Sequence, residues 1–300
     1  MLYINAPIAG GKSSLTQYLS QDLGSTAYYE KVDDMPILDK FYSAGEDSRF
    51  RLAFPLQIAF LNYRYGQLRR AITERNAVLD SSLLSDSLMA FNLHKRNEFP
   101  DVEYDLYVEL LQNMQANVSG HPFTGYPDLI VYLDMPFDLM LEHIKKRGRD
   151  MEVIDEDKRA YYYGVWETYN HWAKSYSQSP VVTIDMTKYD FVENMEDRYK
   201  VLDIIESRMV ELNLLTKKEF KLLKETRWAR SLVNIDSSDE VEFNRYNVGI
   251  NGSAIKHRVT ETLLNRRNML LSSLGDKDLK NPESYAELCM NTGDSSLEGV

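Results

Sequence analysis

Near the start of the chain, the run Ala6-Pro7-Ile8-Ala9-Gly10-Gly11-Lys12-Ser13 has the residue types and order of a phosphate cradle. An apolar strand candidate, Leu2-Tyr3-Ile4-Asn5, precedes it, and a helix candidate from Ser13 to about Leu23 follows. In that setting the backbone of Ile8, Ala9, Gly10, Gly11, Lys12, Ser13 and Ser14 wraps a phosphate at a helix N-terminus. Orphan N–H donors and the helix dipole both favour an anion there. Lys12 is placed to reach the β- and γ-phosphates of a bound nucleotide, and the Ser13 hydroxyl to join the shell of Mg²⁺. Ala6 stands where the pattern has its first glycine, and a Cβ is tolerable there only at φ < 0. The competing reading is a glycine turn with an incidental lysine. The order of strand, Gly-Gly-Lys-Ser-Ser and helix weighs against it.

A phosphate loop serves ATPases, GTPases and many kinases, so other residues must narrow the chemistry. Glu30 ends a second strand candidate, Asp80 ends a third, and Lys145-Lys146-Arg147-Gly148-Arg149 closes the helix after the fourth. Phosphoryl transfer needs neutralised phosphate oxygens, a held metal and an aligned nucleophile. Arg147 and Arg149, on a glycine turn, could close over the phosphates as a lid with planar donors. Asp80 could hold Mg²⁺ through water, and Glu30 could take a proton from an attacking alcohol. The bland alternatives are a solvated basic helix end for the arginines and helix N-caps for the two acids.

These residues require a scaffold that brings strand ends together. Five short apolar segments, Leu2–Asn5, Ala27–Glu30, Ala77–Asp80, Leu129–Asp134 and Val181–Asp185, lack clear alternation, as buried parallel strands do. Helical stretches separate them, such as Ser48–Glu74, Asp101–Val118, Pro136–Lys146 and Asp155–Tyr176, and another follows at about Asp197–Leu212. The expected fold is α/β, with a five-stranded parallel sheet flanked by helices. Ligands then bind beyond the carboxyl ends of the strands. The catalytic domain is expected over residues 1–216. A mostly helical extension, 217–300, follows, with a helix over Ser253–Leu274 and a polar tail from about Asp276.

With 43% hydrophobic and 27% charged residues, the 300-residue chain has a globular composition. A formal net charge of −11 argues against a broad nucleic-acid or anionic-membrane surface. The lone Cys289 cannot form an internal disulfide, and no apolar run approaches a membrane span. A cytoplasmic protein is expected, in the host cytoplasm if its origin is viral. Glu219 and Glu225 within the basic stretch Lys217–Arg230 favour a solvated helix face over a nucleic-acid contact.

The chain resembles the deoxynucleoside kinases, above all the bacterial deoxyadenosine/deoxyguanosine kinase branch. The likeness rests on Tyr29-Glu30-Lys31-Val32-Asp33-Asp34-Met35-Pro36, Phe41-Tyr42, Leu56-Gln57 through Asn62-Tyr63-Arg64, Tyr126-Pro127-Asp128-Leu129 and Lys146-Arg147-Gly148-Arg149. It covers roughly residues 1–215. The resemblance implies a P-loop kinase fold and ATP-dependent phosphorylation of the 5′-hydroxyl of deoxyadenosine, deoxyguanosine or deoxycytidine. It makes Glu30 the general base and Gln57 the partner of the nucleobase edge. Tyr42 and Glu152 become the holders of the sugar 3′-hydroxyl, Arg64 and Asp86 the pair at the pocket floor, and Arg147 and Arg149 the lid arginines. It also implies a homodimer. Two positions depart from the family pattern: Ser81 replaces an arginine near the base carboxylate, and Ala90 replaces a base-stacking aromatic, with Phe91 beside it. Rival readings are a nucleoside monophosphate kinase of the thymidylate kinase type and a nucleotide-binding protein without catalysis.

Overall fold

The computed structural model describes residues 1–30, 35–37, 40, 46–116, 126–149 and 154–233. The expected helix over 253–274 and the polar tail lie outside them. Five strands, β1 (Leu2–Asn5), β2 (Ala27–Tyr28), β3 (Val78–Leu79), β4 (Leu129–Asp134) and β5 (Val181–Asp185), form one sheet. Their order is β2-β3-β1-β4-β5 and every pairing is parallel. β1 is buried along its whole length and β4 along all but its last residue, which is why neither alternates polar with apolar.

Two strands are shorter than their apolar runs suggest. β2 lies at the sheet edge and pairs with β3 only through Ala27↔Val78 and Tyr28↔Leu79. The Asp80 N–H still donates to the Tyr28 carbonyl at 3.0 Å. The next carbonyl, of Tyr29, accepts instead from the Gln67 side chain at 2.7 Å. Glu30 therefore sits past the ladder, on chain that side chains must hold.

The helices are α1 (Lys12–Leu23), α2 (Glu46–Ala71), α3 (Leu83–Lys95), α4 (Asp101–Ala116), α5 (Phe137–Arg147), α6 (Glu156–Ser175), α7 (Met195–Glu211) and α8 (Lys217–Val233). α3 is not among the helices the sequence marks, because its buried face includes Ser85, Asp86 and Asn92 and so has no clean apolar period. Ser82 caps it, its Oγ accepting from the Ser85 N–H at 3.3 Å. That cap overturns the N-cap alternative for Asp80, which lies two residues earlier. Pro55 stands inside α2, where it cannot bond the Arg51 carbonyl. α2, α3 and α4 pack on one another, and α3 also packs on α6. Their apolar faces join Tyr3, Leu79, Ile130 and Tyr132 of the sheet in one core with Leu61, Leu68, Leu93, Tyr107 and Trp172. Each such side chain contributes about 1.5–3 kcal/mol by leaving water.

The chain divides into two compact units, Met1–Thr16 with Thr26–Arg198, and Gln17–Ser25 with the chain from Tyr199. The second unit is organised on the buried Arg227 of α8. Its guanidinium meets both oxygens of Glu206 at 2.9 Å, and also Asp22 and Asp203. Lys224 adds a second cation 3.0 Å from Asp203.

Candidate active site

Strand β1 delivers the chain into the phosphate loop, and α1 leaves it. Ala6 is fully buried and is not among the residues with positive φ, so its Cβ is accommodated. The compensation lies four residues on. A Cβ built on Gly10 would stand 2.6 Å from the Ala6 Cβ and 3.1 Å from the Pro7 carbonyl oxygen. In this loop, then, Ala6 is present because Gly10 is bare. Gly11 takes φ 82° and faces the Phe191 ring, whose Cζ would be 3.0 Å from an added Cβ. Ala9 itself adopts φ 57°, a left-handed conformation costing an L-residue about 1–2 kcal/mol, so the loop holds strain where it turns. Gly10→Ala is expected to cut kcat/KM for ATP by about a hundredfold, because displacing the loop misplaces the phosphates. Ala6→Gly in the same chain removes the nearest clashing atom and should restore part of that loss in steady-state assays.

Lys12 folds back on the loop, its Nζ donating to the carbonyls of Ala6 at 3.1 Å and Pro7 at 3.3 Å. Burial lowers its pKa, Arg147 and Arg64 add to that effect, and Asp80 and Glu30 oppose it. Such a lysine gains from a phosphate that replaces its lost solvation. Ser13 Oγ donates to Asp80 Oδ2 at 2.7 Å, which joins the two expected metal-site residues. Asp80 Oδ1 is buried without a hydrogen-bond partner, and burial raises the carboxyl pKa against the pull of Lys12 and Ser13. An orphaned carboxylate oxygen beside a serine hydroxyl suits a hard cation carried by a triphosphate.

Beyond β2, Glu30 meets Arg64 of α2. The Arg64 guanidinium donates to Glu30 Oε1, to Asp86 Oδ1 at 3.5 Å and to Gln67 Oε1 at 3.4 Å. Burial works against its charge, and Asp86, Glu30 and Asp80 together outweigh that, leaving its pKa raised. Arg64 is 1% exposed, and Gln57, two turns earlier, is 6% exposed. Ordinary surface polarity is therefore excluded for Gln57, Arg64 and Asp86. Burial lifts the Asp86 carboxyl to about 6, with Arg64 opposing. The Tyr107 hydroxyl is buried without a hydrogen-bond partner, and Asp86 Oδ2 has no hydrogen bond beside its ion pair with Arg64 Nε at 3.4 Å. A buried orphan costs about 1–3 kcal/mol and is tolerated where a ligand satisfies it.

The departures from the family pattern have structural consequences. Ser81 is buried and carries no charge, so the cation on Glu30 is Arg64. Ala90 is fully buried, whereas Phe91 is 41% exposed, 6.5 Å from Tyr104. Phe91 does not take the place of an aromatic at position 90. Tyr42 and Glu152 lie outside the described residues.

Helix α5 ends at Arg147, and Gly148 caps it in the left-handed conformation, its N–H donating to the Ile144 carbonyl. Arg147 and Arg149 are exposed on either side of this cap. His143, one turn before Arg147, has Nδ1 3.3 Å from the Ala9 carbonyl oxygen, so this face of α5 lies on the phosphate loop. Arg147 contributes to the lowered pKa of Lys12, which brings it within electrostatic reach of the loop.

Sequence reading missed Gln67, Tyr107, His143 and Asn5. Asn5 closes β1, and its Oδ1 accepts from Ser85 Oγ at 3.0 Å. A polar residue closing a buried strand was a usable signal. The others lie on helix faces that only packing identifies.

A family described as deoxynucleoside kinase matches residues 2–211. The chain is 39% identical over 215 residues to a deoxyguanosine kinase of Lactobacillus johnsonii, covering 71% of this chain and 93% of that protein. It is 37% identical over 218 residues to a deoxyadenosine kinase of Lactobacillus acidophilus, covering 72% of this chain and 99% of that protein. A solved structure of deoxyadenosine kinase from M. mycoides with bound dATP shares the fold. The TM-score is 0.54 at 23% identity, with 67% of this chain and 98% of that chain covered.

Proposed function

The chain belongs to the deoxynucleoside kinase family, and from that premise we propose how its residues phosphorylate a deoxynucleoside. The observation that carries the reading is one carboxylate, Glu30, standing on a buried guanidinium that also touches Asp86, in the unit that holds the phosphate loop. Glu30 takes the proton of the acceptor's 5′-hydroxyl as that oxygen attacks the γ-phosphate of ATP in line. Lys12, the loop amides and the arginines at the end of α5 hold the spreading charge. Mg²⁺, held by Ser13 and Asp80, would supply charge neutralisation of the phosphate oxygens.

Gln57, Arg64 and Asp86 receive the nucleobase, and Tyr42 and Glu152 the 3′-hydroxyl. A floor that offers a guanidinium donor and a carboxylate acceptor suits a base with an exocyclic amino group beside a ring acceptor, as in deoxyadenosine and deoxycytidine. The deoxyguanosine and deoxyadenosine kinase names of the relatives support a purine acceptor. A homodimer in the cytoplasm, with an extension beyond Thr216, completes the proposal. Incubating the protein with MgATP and each of the four deoxynucleosides and their monophosphates tests it. Deoxynucleoside monophosphates as products support the reading, whereas diphosphates alone would replace it with a monophosphate kinase.

Asp86 makes acceptor binding sensitive to pH. With its carboxyl at about 6, it is neutral below that value and a charged, stronger acceptor for an amino group above it. The KM for deoxyadenosine is expected to fall as pH rises through about 6, and Asp86→Asn should flatten that dependence in initial-rate measurements.

A further inference from the structure

Accepting Glu30 as the base that meets the acceptor, we propose that Arg64 and Gln67 form a two-point clamp on it. Through Arg64 that clamp is tied to Asp86, so that recognition of the nucleobase is expressed in turnover as well as in affinity.

The need for a clamp follows from the sheet. β2 ends at Tyr28, and its pairing with β3 spans two residues. Glu30 lies beyond that pairing, and its side chain is 32% exposed. A long acidic side chain on unpaired chain has many rotamers, and only one of them presents an oxygen to a hydroxyl. α2 supplies two restraints from neighbouring turns. Gln67 Nε2 donates to the Tyr29 carbonyl at 2.7 Å, fixing the backbone immediately before Glu30. Arg64 binds Glu30 Oε1, fixing the side chain and leaving Oε2 for the acceptor. The two residues brace each other, Arg64 Nη1 donating to Gln67 Oε1 at 3.4 Å. Residues three apart on a helix share a face, so both point at the same end of β2.

The same guanidinium reaches Asp86 with Nε, 3.4 Å from Oδ2 and 3.5 Å from Oδ1. Since Arg64 is buried and all three of its nitrogens are engaged, its position is set jointly by Glu30, Gln67 and Asp86. A base that seats well against Asp86 therefore steadies the anchor of Glu30, and one that seats poorly loosens it.

The test measures kcat and KM of the full-length protein with deoxyadenosine and MgATP in Gln67→Met and Arg64→Lys. Methionine matches glutamine in length but offers no strong donor or acceptor. Lysine keeps the charge but cannot fork between two carboxylates. In each variant that retains the wild-type helical circular dichroism, kcat is expected to fall about tenfold or more. KM for MgATP should stay within about twofold of wild type. Wild-type kcat with only a raised KM for deoxyadenosine, in either folded variant, overturns the clamp. If Gln67→Met does not fold, Arg64→Lys decides alone. A wild-type protein that forms no monophosphate would instead remove the base assignment on which the clamp rests, and the two failures are thus distinct.

Discussion

Glu30→Gln is expected to lower kcat for deoxynucleoside phosphorylation by about two to four orders of magnitude, the range associated with a lost general base. The substitution is chosen because glutamine keeps the length of the side chain and an oxygen that can still accept from Arg64. Folding and nucleotide affinity should therefore survive. Lys12, Ser13 and Asp80 are untouched, so the KM for ATP should stay near that of the parent. Coupled-assay turnover at saturating acceptor and MgATP reads the effect. A variant turning over at close to the parental rate would show that the hydroxyl proton leaves by another route.

The largest effect on stability is expected at Arg227. Its guanidinium is 2% exposed and satisfies Glu206, Asp22 and Asp203 within the second unit. Arg227→Met would leave Asp22 and Glu206 buried without their cation. Breaking a buried pair in this way costs about 3–5 kcal/mol. The pH dependence has a definite sign. Burial pushes the Glu206 carboxyl well above the ordinary carboxylate range, with Arg227 opposing and Asp22 adding to it. A carboxyl raised on folding favours the native state below its unfolded value, and that contribution is lost as pH rises through the folded one. The deficit of Arg227→Met should therefore widen as pH rises through the raised Glu206 value of the parent, and adding Glu206→Gln should return part of the stability. Urea unfolding followed by circular dichroism at several pH values measures both. An unchanged midpoint would mean that α8 is held by its apolar contacts alone.

The positions of Ser81 and Arg64 show how far the sequence could be read. Ser81 marks a missing charge at the end of β3, and nothing local says what replaces it. The replacement comes from α2, 34 residues from Glu30 along the chain. Its selection depends on the face that α2 turns inward, and Gln57, Arg64 and Gln67 on that face are polar enough to blur the apolar period. For the same reason α3 carries no clear helical signature, although it holds Asp86. Ala6 behaves in the same manner. The residue is visible in the sequence, but the bare Gly10 beneath it becomes meaningful only when the loop is folded.

The chain by itself determined the five strands, most of the helices between them, the phosphate loop and the candidate groups for phosphoryl transfer. Each of these is written in contiguous residues, where backbone sterics and burial on both sheet faces act over a few positions. Tertiary structure alone decided which cation serves Glu30, where β2 stops, and which helix faces carry Gln67 and Tyr107. Those outcomes rest on contacts between segments far apart in sequence, and a side chain's partner there is set by packing rather than by its neighbours along the chain.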